Sequence, residues 1–254
     1  MTPLSSALST VIQGFDGQAS SYDEKASLQH HVAERLVALA RAPMEKGQTI
    51  FDIGCGTGFV AEAAAQTWPE ATIYAIDPSL RMLEQVQKKS PHLKRIQANA
   101  SALPCDLKAN LILSSMMMHW LEHPRQVLQY WQDCLKPQGK IYVALLGQGS
   151  FRQWQDLCEQ QGVRQGTWPM PAATFADGLA FYKEQETVTI SYDSVADFLK
   201  CLKHIGAATP RADYRTLSVP QMRRLLVKAP KPFAVSYQVL YLGVEPRGSG
   251  TRTI

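Results

Sequence analysis

Phe51-Asp52-Ile53-Gly54-Cys55-Gly56-Thr57-Gly58-Phe59 reads as the end of a buried strand, a glycine-rich turn and the start of a helix. Upstream, Thr49, Ile50 and Phe51 are β-branched or aromatic, as strands prefer. Downstream, Val60-Ala61-Glu62-Ala63-Ala64-Ala65 is a strong helix former. Gly54, Gly56 and Gly58 remove side chains where the backbone turns sharply and lets a ligand approach closely. The spacing is G-x-G-x-G, because Phe59 and Val60 follow Gly58. A turn that serves a pyrophosphate reads G-x-G-x-x-G instead. Taken alone, the stretch is also compatible with an ordinary strand-to-helix turn.

Asp77 narrows the choice. It ends the next apolar run, Thr72-Ile73-Tyr74-Ala75-Ile76, and lies about 20 residues past the glycines, where an acid that binds ribose hydroxyls is expected. Its other reading is a helix cap. Turn and acid together, in a βαβ frame, point to a nucleoside without a pyrophosphate. S-adenosylmethionine fits, with its ribose on Asp77 and its methionyl part in the glycine loop.

At these residues the chain resembles the class I S-adenosylmethionine-dependent methyltransferases, whose first motif looks like Asp52-Ile53-Gly54-Cys55-Gly56-Thr57-Gly58. This resemblance spans roughly the first 145 residues. It implies an α/β, Rossmann-like fold: a seven-stranded, mostly parallel sheet with an antiparallel last strand and an inserted lid. It also implies cofactor contacts from Asp52, Gly54, Cys55, Gly56, Gly58, Asp77, Pro78, Asn99, Ala100 and Ser115, with S-adenosylhomocysteine as the product. The place of Asn99 is usually an Asp that meets the adenine amine. An Asn carbonyl can accept the same hydrogen bond.

The 254 residues suit a single domain with a sizeable core, here expected to span 1–254, with an N-terminal cap helix at about 12–30 and a lid insertion at about 147–181. Apolar content of 45% and charged content of 19% favour a folded globule over disorder. No run of about 18 apolar residues is present. The first lysine is Lys25, so the basic start of a secretion signal is missing and a cytoplasmic location is expected. Cys55, Cys105, Cys134, Cys158 and Cys201 are scattered and form no C-x-x-C pair, which indicates neither a zinc site nor a disulfide framework. The net charge of +4 is a mild excess that favours an acidic partner or substrate without demanding nucleic acid.

Residues 1–13 are expected to fray. Phe15, Ala19, Tyr22, Ala26 and Gln29 then recur at spacings of four and three, which predicts one helical face. Phe15 and Tyr22 either close over the cofactor or pack on the core. Val32 to Arg41 continues helical. Arg95–Ala98, Leu111–Ser115 and Ile141–Leu146 read as the third, fourth and fifth strands, the last preceded by a tight turn at Lys136–Gly139. Met116-Met117-Met118-His119-Trp120 follows the fourth strand, where ligands of open parallel sheets bind. That makes His119 and Trp120 acceptor-site candidates. A core tryptophan and a surface histidine are the alternatives.

From Gly147 to Phe181 the alternation of strands and helices stops, and Trp154, Trp168 and Phe175 suggest a lid. Glu186–Ile190 reads as a sixth strand, Ser194–Ile205 as an amphipathic helix and Phe233–Leu242 as the last strand, followed by a disordered tail from Pro246.

Over about residues 15–245 the chain is similar to the malonyl-acyl-carrier-protein O-methyltransferases of biotin synthesis. Phe15…Tyr22…Gln29, Met118-His119-Trp120, Phe151-Arg152-Gln153-Trp154, Leu199–Ala207 and Val235–Gly243 carry this likeness. It implies methyl esterification of the free malonyl carboxyl on an acyl carrier protein or coenzyme A, with Tyr22, His119 and Trp120 at the reacting groups. The carboxylate is already ionised at neutral pH, so no general base is required. Acceptor and methyl donor must meet at about 3 Å, with water excluded. Arg211, Arg215, Arg223, Arg224 and Lys228 form a basic run interrupted by Asp213. It reads as a docking surface for an acidic carrier protein or as a solvated face. A methyltransferase for a free small diacid, and a cofactor-binding module without turnover, are the rival readings.

Overall fold

Strand β1 (Thr49–Ile53) is buried beyond its first residue and pairs in parallel with β2 (Thr72–Asp77) on one side and β4 (Ala109–Ser115) on the other. A computed structural model describes residues 6–41, 45–104, 107–207 and 214–247. Strand β3 (Lys94–Gln97) extends the sheet beyond β2, and β5 (Leu135–Leu146) extends it beyond β4. The last two strands, β6 (Ala180–Tyr192) and β7 (Phe233–Val244), close the order β3-β2-β1-β4-β5-β7-β6. β7 alone runs against the direction of the other strands, antiparallel to β5 and to the edge strand β6. This is the expected α/β architecture, and its strand order reverses between β1 and β4.

Helices α1 (Ser6–Gln18), α2 (Ser27–Leu39), α3 (Phe59–Thr67) and α4 (Leu80–Lys89) lead through the first half of the chain. Helices α5 (Pro124–Asp133), α6 (Arg152–Gln160), α7 (Val195–His204) and α8 (Val219–Lys228) complete the set. One core joins α2, α3, α6 and α7 to the sheet through Leu36, Ala61, Trp154 and Phe198. The other places Leu128 and Trp131 of α5 on Phe51, Ile112 and Val143. Helices on both faces are what buried parallel strands require. No helix among the described residues is long and apolar enough to cross a membrane.

Several boundaries differ from the sequence reading. The helix expected at about 12–30 is two helices. Helix α1 ends at Gln18, and Tyr22–Lys25 forms a separate 3-10 turn before α2. Gly17 lowers helix propensity, and the Ser21 hydroxyl donates to the Gln18 carbonyl at 3.4 Å, competing for the backbone. Residues 1–13 are not all frayed: α1 starts at Ser6, and Val11 is buried. The sixth strand is 13 residues long because Ala180–Tyr192 pairs with β7 along its length. The turn at Lys136–Gly139 lies inside β5 as an irregularity in its register with β4. Trp154 is buried against Phe198 and faces inward from α6. Phe175 packs on the α5 face of the sheet. Of the three aromatics expected in the lid, Trp168 alone reaches another aromatic near the strand ends, Trp120, at 6.2 Å between ring centroids. Arg211 and the tail beyond residue 247 lie outside the described residues.

Candidate active site

Because β1, β2, β3 and β4 are parallel, their carboxyl ends lie along one edge of the sheet. That edge holds Asp52, Asp77, Asn99 and Ser115. Backbone hydrogen bonds tie it together: Gly54 N–H donates to Ile76 O at 2.8 Å, and Met116 N–H to Ala144 O at 2.8 Å. The Ser114 hydroxyl donates to Ile53 O at 2.7 Å across β1 and β4.

The glycine turn has three different physical requirements. Gly54 has φ +71°, and a Cβ there would sit 2.5 Å from Met117 Cγ, so the loop after β4 needs the missing side chain. Gly56 has φ +53° and donates its N–H to Asp77 Oδ2 at 2.9 Å. Gly58, with φ +102°, precedes α3 and rests against Val86 of α4. Gly58 is not among the residues that line the cavity formed by its neighbours.

That cavity has a volume of about 110 Å³. Asp52, Gly54, Cys55, Gly56, Asp77, Pro78, Asn99, Ala100 and Ser115 line it, as do Tyr22 and Trp120. Helix α1 covers it with Phe15, one of the two aromatics expected to close over the cofactor, and with Leu8, Val11 and Ile12, which no sequence pattern marked. Asp16 holds the helix there, accepting from the Ser79 hydroxyl at 2.6 Å and lying 3.5 Å from Arg81.

Two buried carboxylates dominate the electrostatics. Asp52 is 0% exposed, and its Oδ2 accepts from Ala61 N–H at 3.0 Å while Oδ1 has no partner among the described residues. Burial pushes its pKa up to about 8, and Asp77 adds to the shift. Asp77 accepts from Gly56 N–H at 2.9 Å and Ser79 N–H at 2.8 Å. Burial raises it to about 6 against the pull of those bonds. The Ser115 hydroxyl is a second buried polar atom without a partner among the described residues. An orphaned carboxylate oxygen and an orphaned hydroxyl on one cavity wall fit a ligand that brings a cationic centre and hydroxyl or amino groups.

A larger chamber of about 540 Å³ adjoins the first. Phe15, Tyr22, Gln29, Met116 and Trp120 line both and so form the wall between them. Their rings touch in series: Phe59 to Tyr22 at 6.4 Å, Tyr22 to Phe15 at 6.3 Å, and Phe15 to Trp120 at 5.8 Å. Met116 sits at φ +55°, a left-handed conformation for a non-glycine residue, and such strain gathers at ligand sites. Nothing in its local sequence signals this.

His119 lines the larger chamber and not the smaller one. It is 6% exposed, and its Nδ1 accepts from Leu146 N–H. Burial lowers its pKa to about 3. His119 is therefore a buried, neutral ring at neutral pH and not the surface histidine of the alternative reading, and Nε2 carries its single proton. The rest of the chamber comes from α7, from Tyr192 and Tyr237, and from the loop before the last strands, with Trp168 and Tyr214.

Residues 50–139 match the family model described as a methyltransferase domain. The chain is 30% identical to a malonyl-acyl-carrier-protein O-methyltransferase of Magnetococcus marinus, over 89% of this chain and 88% of that protein. It is 32% identical to the protein of the same name from Hahella chejuensis, over 78% of this chain and 74% of that protein. A biotin biosynthesis bifunctional protein BioCD of Bordetella avium is 31% identical, over 96% of this chain and 55% of its own length. Among solved structures, YcgJ of Bacillus subtilis covers 86% of this chain and 100% of its own, with TM-score 0.57 and 16% identity. NodS, an N-methyltransferase of Bradyrhizobium japonicum solved with S-adenosylhomocysteine, covers 94% of this chain and 99% of its own, with TM-score 0.52 and 13% identity. These last two likenesses are of fold.

Proposed function

The chain belongs to the malonyl-acyl-carrier-protein O-methyltransferase family, and from that premise we propose that it esterifies the malonyl carboxylate at the wall between its two chambers. It is an S-adenosylmethionine-dependent methyltransferase of biotin synthesis. The observation that carries the proposed site is the shared wall of Phe15, Tyr22, Gln29, Met116 and Trp120. On one side lies the smaller chamber with its orphaned Asp52 and Ser115 atoms; on the other, a space large enough for a thioester chain.

In this reading Asp52, Asp77, Asn99, Ser115 and the Gly54–Gly56 backbone hold S-adenosylmethionine. The bound cofactor supplies the methyl group from a sulfonium whose S–CH3 bonding pair stays on sulfur. The chain's own task is to bind, orient and dry the reactants. The acceptor carboxylate enters already ionised, so no side chain has to remove a proton. The neutral state of His119 agrees with that economy: its Nε2–H can donate to an acceptor oxygen but carries no charge. Tyr22, Phe15, Trp120 and Trp168 exclude water, and a dry site favours the loss of charge as the ester forms.

The acidic carrier protein is assigned here to the surface around α8. Arg215, Arg223, Arg224 and Lys228 are exposed there, and Val219 and Val227 are 67% and 80% exposed beside them. Tyr214, next to Arg215, lines the larger chamber, so the basic surface adjoins its wall. Incubation of the protein with labelled S-adenosylmethionine and malonyl-acyl carrier protein, malonyl-coenzyme A and free malonate tests the reading. An alkali-labile methyl ester on the malonyl thioesters is expected. Label on free malonate alone would replace the carrier-protein reading with that of a free-diacid enzyme, and no label on any of them would defeat both.

A further inference from the structure

The acceptor carboxylate is an anion, and an enclosed anion needs donors. The donors available at the wall between the chambers are all neutral. Tyr22 offers a hydroxyl, Gln29 an amide and Trp120 an indole N–H; Phe15 and Met116 offer none. All three donors are half-buried, and among the described residues none of the three side chains makes a hydrogen bond. No described arginine lines either chamber. Lys25 and Lys200 line the larger chamber, but neither is among the residues that line both chambers. Among the described residues, three unspent donors and no cation therefore line the wall where the acceptor must react.

We infer that Gln29 is an acceptor-binding residue and that, with Trp120, it clamps the malonyl carboxylate through uncharged hydrogen bonds. The inference rests on the esterification reading above. Gln29 sits on α2, one turn after the Tyr22–Lys25 segment, and lines both chambers, as Tyr22 does.

The physical case for a neutral clamp lies in what happens to charge. The acceptor begins as a carboxylate and ends as an ester. An arginine holding it would gain most in the ground state and be left as a buried, unpaired cation in the product. It would deepen the bound substrate's well and slow the step. An amide N–H loses less: it bonds a carboxylate oxygen at the start and the ester carbonyl at the end.

Three variants test this, each read by steady-state kinetics with malonyl-coenzyme A and by calorimetric titration with S-adenosylhomocysteine. Gln29→Leu keeps the bulk and removes the donor. KM for malonyl-coenzyme A should rise about 10-fold or more, while the affinity for S-adenosylhomocysteine, which also reports folding, stays within about 3-fold. Gln29→Arg should lower KM and lower kcat, the split that a merely structural residue would not produce. Gln29→Glu should abolish acceptor turnover and still bind S-adenosylhomocysteine. An unchanged KM in Gln29→Leu overturns the clamp. So does a loss of S-adenosylhomocysteine affinity as large as the rise in KM, since Gln29 would then serve the cofactor. Wild-type protein that esterifies no malonyl thioester overturns the functional reading, and the clamp with it. Esterification by wild type with an indifferent Gln29→Leu overturns the clamp alone.

Discussion

His119 Nδ1 accepts a hydrogen bond from the Leu146 backbone N–H, 3.4 Å away, at the ends of neighbouring strands. The bond places the ring's proton on Nε2, and burial holds the ring neutral with a pKa of about 3. A histidine whose pKa is lowered does not titrate between about pH 6 and 8. At saturating cofactor, kcat should be flat across that range. A fall in kcat as pH rises through about 6.5 would mean that the imidazolium holds the acceptor after all.

Asp52 is shifted upward instead, and its shift falls in the neutral range. Its folded-state pKa of about 8 lies above the ordinary 3.8, so the folded protein binds a proton that the unfolded chain has released. That contribution to stability is fully present below about pH 4 and is lost as pH rises to about 8. Asp52→Asn removes the charge, and its amide oxygen can still accept from Ala61 N–H. The cofactor-free variant should melt higher than wild type at pH 8, by about 2–4 °C per kcal/mol recovered, with little difference at pH 4. Its affinity for S-adenosylmethionine should fall at least about 10-fold. Higher melting without loss of affinity would show that the cofactor does not use Asp52.

Binding of S-adenosylmethionine should release protons near neutrality, since a cationic ligand favours the ionised forms of Asp52 and Asp77, whose pKa values stand at about 8 and about 6. Calorimetry at about pH 7 in two buffers of different ionisation enthalpy measures the release. Equal heats in both buffers would contradict the assignment of this cavity to the cofactor.

Tyr22 is held in place by its neighbour. The Asp23 carboxylate accepts from the Thr57 hydroxyl at 2.6 Å and from Lys89 Nζ at 2.9 Å, pinning the turn to the glycine loop and α4. Tyr22→Leu keeps apolar bulk but removes the ring and hydroxyl. Turnover should drop about 10-fold or more, while stability stays within about 1 kcal/mol, because the side chain is half-buried on a cavity wall. Collapse of the melting temperature with normal activity in the folded fraction would make Tyr22 a packing residue.

Reversing Arg223, Arg224 and Lys228 to Glu tests the α8 surface. Exposed charge pairs are each worth about 0.2–1 kcal/mol, so three must act together, and their effect is on encounter rate. KM for malonyl-acyl carrier protein should rise and its salt dependence should flatten, while turnover of malonyl-coenzyme A barely changes. No change with either substrate would place the carrier protein elsewhere.

The glycine turn, the acid at the end of β2 and the apolar central strands were legible in the amino-acid order, because each is set by residues within a few positions of one another. The positive φ at Gly54 and Gly56 and the strand preference in Thr49–Phe51 act locally, so the fold class and the cofactor edge could be read from them. The wall between the chambers could not. The 3.6-residue period from Phe15 to Gln29 predicted one helix, yet the chain breaks after Gln18 and folds Tyr22 into a separate turn. What holds that turn is the bond from Thr57 to Asp23 across 34 residues of sequence, a contact no local pattern encodes. The charge of His119 was equally out of reach, since it depends on burial and on Leu146, 27 residues away. Sequence alone determined which residues can turn, pair and bind a nucleoside. Tertiary packing decided which of them share a wall and which carry charge, because burial and long-range hydrogen bonds exist only once the sheet has formed.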